Sequence, residues 1–181
     1  MKNILDKSYL TLRGIFLDNI RPGKNCRILD IGCGRRGNIF RIESRTYLGI
    51  DNDPHTIKRL KDRTDGTYAL MDAGKMDFPA ETFDYIISTS FFHHISDEEV
   101  KRVSSMMKKI LKSKGKLIIA DGVYPDSRLN VAGRMIRFLD RGRHVRDKEG
   151  FRRIFSGDFR IKNEYYFTEL IFSYSVLVME K

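Results

Sequence analysis

Residues 28–39 read ILDIGCGRRGNI, and Gly32, Gly34 and Gly37 keep the spacing G-x-G-x-x-G. Glycines at this spacing let a chain turn sharply out of a strand and bring bare backbone close to a ligand. Carboxylates recur around the loop. Asp30 stands two residues before the first glycine, Asp51 nineteen residues after it, and Asp72 twenty-one residues further on. A carboxylate placed like Asp51 can accept hydrogen bonds from both hydroxyls of a ribose. The set therefore suits a ligand that carries adenosine. Later, FFHHIS places His93 and His94 directly after an apolar run. Imidazole exchanges protons near neutral pH, so either is a candidate general base. Asp121 and Tyr124, after a further apolar run, are alternatives.

The glycine spacing alone does not separate a dinucleotide from S-adenosylmethionine. Asp30 favours the second. A carboxylate beside the loop repels a pyrophosphate but suits a cationic amino group and sulfonium. Arg35 and Arg36 pull the other way, towards phosphate, and are read as facing solvent. Chain length agrees with Asp30, because little remains after the sheet for a dehydrogenase's separate catalytic domain.

These residues need strands that end together. The chain has 181 residues, enough for one domain with its own core. An amphipathic helix is expected over about residues 4–20, from Leu5, Tyr9, Leu12, Phe16 and Ile20. CRILDIG is a strand entering the glycine loop, and GNIFRIE leaves room for only a short helix. RTYLGID, GTYALMD and FDYIISTS are three more strands, and GKLIIAD is a fifth, ending at Asp121. Pro54 suits the first turn of a helix, and Ser96 with Glu99 forms a capping box for another. FRIKNEYYF and FSYSVLVME close the chain. Their connection is too short for a parallel crossover, so they should pair antiparallel. The expected fold is a three-layer, Rossmann-like α/β sandwich with a mostly parallel seven-stranded sheet and an antiparallel closing hairpin. One domain, 1–181, divides into an N-terminal helix (1–25), a ligand-binding core (26–121), a cover (122–155) and the hairpin (156–181).

The net charge is +10, which attracts anionic partners in general. Much of it lies between Lys101 and Lys116 and between Arg134 and Arg153. The cover holds Val131, Met135 and Phe138 at helical spacing, and core packing is their expected use. Cys26 and Cys33 make no disulfide or metal pattern, and Cys33 is expected to fill space. No apolar run reaches the ~20 residues of a membrane span. Charges interrupt the N-terminus too early for a signal peptide, and a cytoplasmic location is expected.

Four segments in order, ILDIGCGRRGN, YLGIDNDP, LMDAGKMDFPAETFDYIISTSFFHHISD and ILKSKGKLIIAD, resemble the motifs of class I S-adenosylmethionine-dependent methyltransferases. The likeness is greatest to the small-molecule type that includes quinone-biosynthesis methylases, and it covers about residues 26–121. It implies that Asp30, Gly32, Cys33 and Gly34 border the methionine part of the cofactor. It implies Asp51 at the ribose hydroxyls, Asn52 beside the adenine, Asp72 at the adenine amino group with Ala73 next to it, and Ser88, Thr89 and Ser90 at the methionine end. It also implies a seventh strand inserted antiparallel between the fifth and sixth. The helix after the glycine loop is shorter here than in the family. The cover would hold the acceptor, with Tyr124, Arg134, Arg137 and Arg141 as its binding residues, because arginine forks match carboxylate and phosphate. The leading expectation is methylation of a small anionic molecule by direct displacement. An RNA methyltransferase, which is less well supported, and a non-catalytic cofactor-binding regulator are the alternatives, and a dehydrogenase ranks below them.

Overall fold

A computed structural model describes residues 2–22, 25–38, 40, 42, 46–139 and 143–181. Helix α1 (Lys2–Asn19) precedes strands β1 (Arg27–Ile31) and β2 (Thr46–Asp51). Helix α2 (Pro54–Leu60), strand β3 (Thr67–Leu70), strand β4 (Phe83–Thr89), helix α3 (Asp97–Ile110) and strand β5 (Leu111–Val123) follow. Helices α4 (Val131–Leu139) and α5 (Lys148–Ser156) lead to strands β6 (Arg160–Glu169) and β7 (Phe172–Glu180). The seven strands form one sheet in the order β3-β2-β1-β4-β5-β7-β6. The first five are parallel, and β7 is antiparallel to both β5 and β6. The expected fold class and the inserted seventh strand are both present.

Alternation along the strands explains the layers, because successive side chains face opposite sides of a sheet. Leu29, Ile86, Leu117, Ile119, Leu177 and Met179 face one side, where Val100, Val103, Met107 and Ile110 of α3 and Phe151 and Phe155 of α5 cover them. Ile28, Ile87, Ile118, Ala120, Val176 and Val178 face the other, under Leu12, Phe16 and Ile20 of α1. A sheet covered on both faces needs such unbroken apolar strands. Val100, Val103, Met107 and Ile110, at helical spacing along α3, are all buried.

Helix starts follow the expected caps. Ser96 accepts from Glu99 N, and Glu99 returns a carboxylate to Ser96 N. Asp53 caps α2, accepting from His55 N and Thr56 N ahead of Pro54. One strand end and the cover differ from expectation. Strand β5 runs two residues past Asp121, because its pairing with β7 continues to Val123 and Ser173. Asp121 is therefore inside the strand and buried rather than at its tip. The cover departs further. In α4 the residues turned inward are Gly133 and Arg137, whereas Val131, Met135 and Phe138 are exposed. The expectation that these three pack into the core is overturned.

Phe16 is fully buried, with its ring 4.3 Å from that of Phe40. Phe16→Ala should cost about 3–5 kcal/mol of unfolding free energy in urea titrations. Leu10→Ala, one turn and a half earlier on the exposed face of α1, should cost under about 0.5 kcal/mol.

Candidate active site

The ends of β1, β2 and β4 open onto a cavity of about 500 Å³. The loop after β1 forms its floor. Gly32 and Gly34 both have positive φ, 68° and 59°, where side chains are strained. A β-carbon on Gly32 would stand 2.6 Å from Cδ2 of Phe91, which presses on the loop. A β-carbon on Gly34 would meet nothing within 4 Å, so the backbone there is bare towards open space. The loop is tied to β2. Gly32 N and Cys33 N both donate to Ile50 O, at 2.9 and 3.0 Å, and Gly34 N donates to Asp51 Oδ2 at 2.9 Å. After Gly34 the described residues make only a short 3-10 turn, Gly34–Arg36.

Asp51 Oδ1 accepts from Asp53 N at 2.9 Å, so both carboxylate oxygens are held in place at the cavity wall. Asp72 accepts from Gly74 N at 2.8 Å and leaves its other oxygen near solvent. Asn52, Ala73, Ser90 and His94 also line the cavity. Ser90 has φ 55°, and its N–H is bound to Ala120 O.

Other expected residues lie elsewhere. Ser88 is fully buried and donates to Ile31 O, stitching β4 to β1, and neither it nor Thr89 is on the cavity wall. Cys33 is buried behind the loop, where desolvation and the carboxylates of Asp30 and Asp51 push its thiol far up, so it remains a thiol. Asp30 shares the sheet face of Ile28, away from the cavity, and is 5% exposed. Its carboxyl accepts a short hydrogen bond from the Tyr47 hydroxyl. Burial raises its pKa to about 7; the Tyr47 hydrogen bond opposes this and the Asp51 charge adds to it.

The two histidines part company. His94 lines the cavity. His93 is buried next to it, with ring centroids 4.0 Å apart. Asp121 grips His93 twice, with Oδ1 2.5 Å from Nδ1 and Oδ2 accepting the backbone N–H at 3.1 Å. Gly122 N, at 2.7 Å, also donates to Asp121 Oδ1. With Nδ1–H bound to the carboxylate, the neutral ring keeps its lone pair on Nε2. Sequence reading named both His93 and Asp121, but not that they form one unit.

Residues beyond those expected also shape the site. Phe91 closes over Gly32, and Glu99, Arg102 and Val103 line the cavity from α3. Their spacing after Ile95, at i+4, i+7 and i+8, is the signal that could have found them. Arg146 ties the histidine loop down. Its Nε and Nη2 bind Asp97 Oδ1, Nη1 binds Phe92 O, and Nη2 binds Ile95 O at 3.0 Å. Beyond α3 lies a second cavity of about 1070 Å³, bordered by Tyr124, Arg128 and Arg134 but also by Asp126 and Asp147. Arg134 sits 5.8 Å over the Tyr124 ring and donates to Pro125 O. Arg137 is in neither cavity. It is buried against β7, donating to Ser173 O at 3.1 Å beside the Tyr174 ring. Arg141 lies outside the described residues.

The methyltransferase domain family matches residues 29–119, half of the chain. The chain belongs to this family. It is 31% identical over 120 residues to a 2-methyl-6-phytyl-1,4-hydroquinone methyltransferase of Synechocystis, over 62% of this chain and 36% of that one. It is 29% identical over 115 residues to an uncharacterised methyltransferase of Bacillus velezensis, over 61% of this chain and 54% of that one. The chain thus spans about half the length, or less, of these relatives. Among solved structures it is similar to a geranyl diphosphate C-methyltransferase of Streptomyces coelicolor, in complex with Mg²⁺, geranyl diphosphate and S-adenosyl-L-homocysteine. That fold match has TM-score 0.77 at 11% identity, over 99% of this chain and 82% of that one. A phosphoethanolamine N-methyltransferase of Haemonchus contortus, in complex with phosphomonomethylethanolamine and S-adenosylhomocysteine, matches with TM-score 0.73 at 16% identity, over 94% and 52%.

Asp30 makes stability depend on pH. A carboxyl raised from the ordinary 3.8 to about 7 holds its proton more tightly folded than unfolded. Between those values the native state therefore loses stability as pH rises, by up to ~1.4 kcal/mol per unit, and the loss is complete above about pH 7. Asp30→Asn keeps an acceptor for Tyr47 and should remove this slope. Urea denaturation of both proteins from pH 4.5 to 8 should show the variant gaining on the wild type until about pH 7 and then running parallel.

Proposed function

We propose that this methyltransferase uses S-adenosylmethionine to methylate a small anionic acceptor. The observation that carries the cofactor assignment is the tie between the glycine loop and β2. The N–H groups of Gly32, Cys33 and Gly34 are all spent on Ile50 and Asp51. Gly37 N is spent on Gly34 O, and Asn38 N on the Tyr68 hydroxyl. A dinucleotide fold instead directs such N–H groups and a helix N-terminus at pyrophosphate. What this loop offers is bare backbone beside carboxylates, which suits an uncharged ribose and cationic groups.

The residues present fit the cofactor. Asp51 would take the ribose hydroxyls, Asp72 the adenine amino group, and the backbone at Gly32 and Gly34 the methionine portion. When bound, S-adenosylmethionine supplies a methyl group that its sulfonium already activates for direct displacement. The protein's share is then to hold the acceptor in line, to exclude water and to accept a proton where the acceptor has one to lose. His93 is the base in this reading, because Asp121 fixes its tautomer and orientation. Tyr124 and Arg134 hold the acceptor's anionic group from the second cavity. Two structural neighbours that carry phosphate-bearing ligands, named above, support an anionic acceptor. Arg137, turned into the sheet, leaves this role to its neighbours. RNA is the second reading, favoured by the net charge of +10. Labelled cofactor added to a cell extract separates the two: mass spectrometry finds the methyl either on a small anion or in the RNA fraction.

Asp51→Asn keeps an acceptor for the loop but loses the charge. It should weaken cofactor binding by about 1.5–3 kcal/mol in calorimetry, measured below a melting temperature that falls because the amide NH2 can no longer accept from one of Gly34 N and Asp53 N. Unaltered affinity in the folded variant removes Asp51 from the site.

For an acceptor that loses a proton, His93→Asn should lower single-turnover methyl transfer by roughly 10²- to 10⁴-fold and leave cofactor affinity intact. Asp121→Asn should also lower it, since an amide no longer selects the Nδ1–H tautomer. His94→Asn should cost only a few-fold. If His93→Asn costs as little, positioning alone carries the reaction.

A further inference from the structure

Helix α4 is amphipathic the wrong way round for a helix that covers a sheet. At about 100° per residue, Val131, Ala132, Met135, Ile136, Phe138 and Leu139 share an arc of about 160°. Gly133 and Arg137 lie opposite and face the protein. Gly133 lets the helix approach the hairpin turn, for a β-carbon there would stand 2.2 Å from Ile171 O. Arg137 covers Gly122 and spans the rings of Phe172 and Tyr174. The orientation is thus fixed by specific contacts, and it leaves the apolar arc outside. Phe138 is 78% exposed and Met135 60% exposed. The patch continues past the helix. Leu129 precedes it, and Leu170 at the tip of the β6–β7 turn shares a shallow groove with Leu129. Solvated apolar area of this kind marks a surface that another phase or molecule covers.

We propose that α4 docks this arc onto an anionic lipid bilayer. The charge around the arc selects the occupant. Residues 128–139 contain Arg128, Arg134 and Arg137 and no acidic residue. Arg128 before the helix and Arg143 beyond it are exposed, while Arg134 is engaged by the Tyr124 ring and Pro125 O. An apolar arc flanked by arginines is how a helix lies in a membrane interface, its apolar side chains among the acyl ends and its cations at lipid phosphates. A second copy would set the same arginines against each other. Nucleic acid offers phosphates but no apolar surface of matching width. Among the described residues no helix is long and apolar enough to cross a membrane, so the contact is peripheral. Docking would bring Tyr124 and Arg134, at the edge of the second cavity, close to the bilayer.

The test reads lipid binding directly, so its outcome is independent of the cofactor and acceptor assignments. The chain has no tryptophan, and Phe138→Trp gives a single tryptophan on the arc, excited apart from the tyrosines at the red edge of the absorption band. With vesicles in which about a third of the lipid is phosphatidylglycerol, its emission should shift to the blue and the protein should sediment with the lipid. Pure phosphatidylcholine vesicles should bind at least ~10-fold more weakly, and salt at about 0.5 M should release most of the protein. Joint replacement Met135→Ser and Phe138→Ser alters only exposed side chains. It should keep the circular dichroism spectrum and lose at least ~10-fold in vesicle binding. Leu70→Ser, an exposed apolar position on the opposite edge of the sheet, should bind as the wild type does. Absence of binding to the anionic vesicles overturns the proposal. So does binding that the double replacement leaves intact, or that Leu70→Ser weakens equally. A dimer in analytical ultracentrifugation that the double replacement abolishes would assign the arc to a second copy and likewise overturn it.

Discussion

The tie between the glycine loop and the end of β2 fixes much of the rest. Backbone N–H groups are obligatory donors, and in a loop at a sheet's edge they are bound by ligand, water or protein. Here protein takes them, through Ile50 O and Asp51. Two consequences follow. The loop is held by protein groups without a ligand, and Gly34 presents bare backbone beside Asp51. Asp51 is oriented by the loop it helps to shape, so the carboxylate proposed for the ribose and a close-approach backbone come as one unit. Gly49 in β2 belongs to the same arrangement. A β-carbon there would stand 3.0 Å from the Cys33 β-carbon and 2.8 Å from the Tyr68 ring, so the strand can lie under the loop only with glycine.

The sequence made the fold legible where one periodicity held over several turns or strands. The stripe of α3, its capping box and the five parallel strands rest on local patterns that tertiary contacts then reinforce. The cavity-lining residues Asp51, Asn52, Asp72 and Ala73 were legible for the same reason, because each follows a recognisable strand. What was not legible depends on pairing between distant segments. Ser88 reads like a residue at a strand's open end, yet its hydroxyl is spent on Ile31 O. Asp30 reads as part of the loop, yet strand alternation turns it to the other face, against Tyr47. Buried there, its carboxyl holds its proton well above the usual carboxylate range.

The cover shows how a correct pattern can carry the wrong inference. Val131, Met135 and Phe138 do form one helical face, and an apolar face ordinarily turns inward. Two residues with little apolar character reverse it. Gly133 is the one point in α4 where the backbone can touch the hairpin turn, and Arg137 has the length to cover Gly122 and reach Ser173 O. A guanidinium over aromatic rings buries its planar face while Nη2 donates to Ser173 O. Helix α4 therefore gains its hold from a glycine and an arginine, and sequence periodicity has no means of ranking those above three large apolar side chains.

Arg146 does mechanical work that substrate binding would not require. Arg146 is bonded to Asp97 at the start of α3 and to the carbonyls of Phe92 and Ile95, which bracket the histidines. Its own segment is held in turn, since Tyr124 N donates to Arg146 O and His144 N donates to His93 O. The loop after β4, the end of β5 and the approach to α5 are thus joined through one side chain and its neighbours. Asp121 grips His93 from β5 while Arg146 grips the same loop from the other side. An imidazole fixed at both the ring and the backbone keeps its Nε2 in one place, which is the condition for a proton acceptor that serves a reaction governed by alignment. Replacing Arg146 would release carbonyls on both sides of that ring at once, so its effect belongs to the histidine's position rather than to the charge of any acceptor.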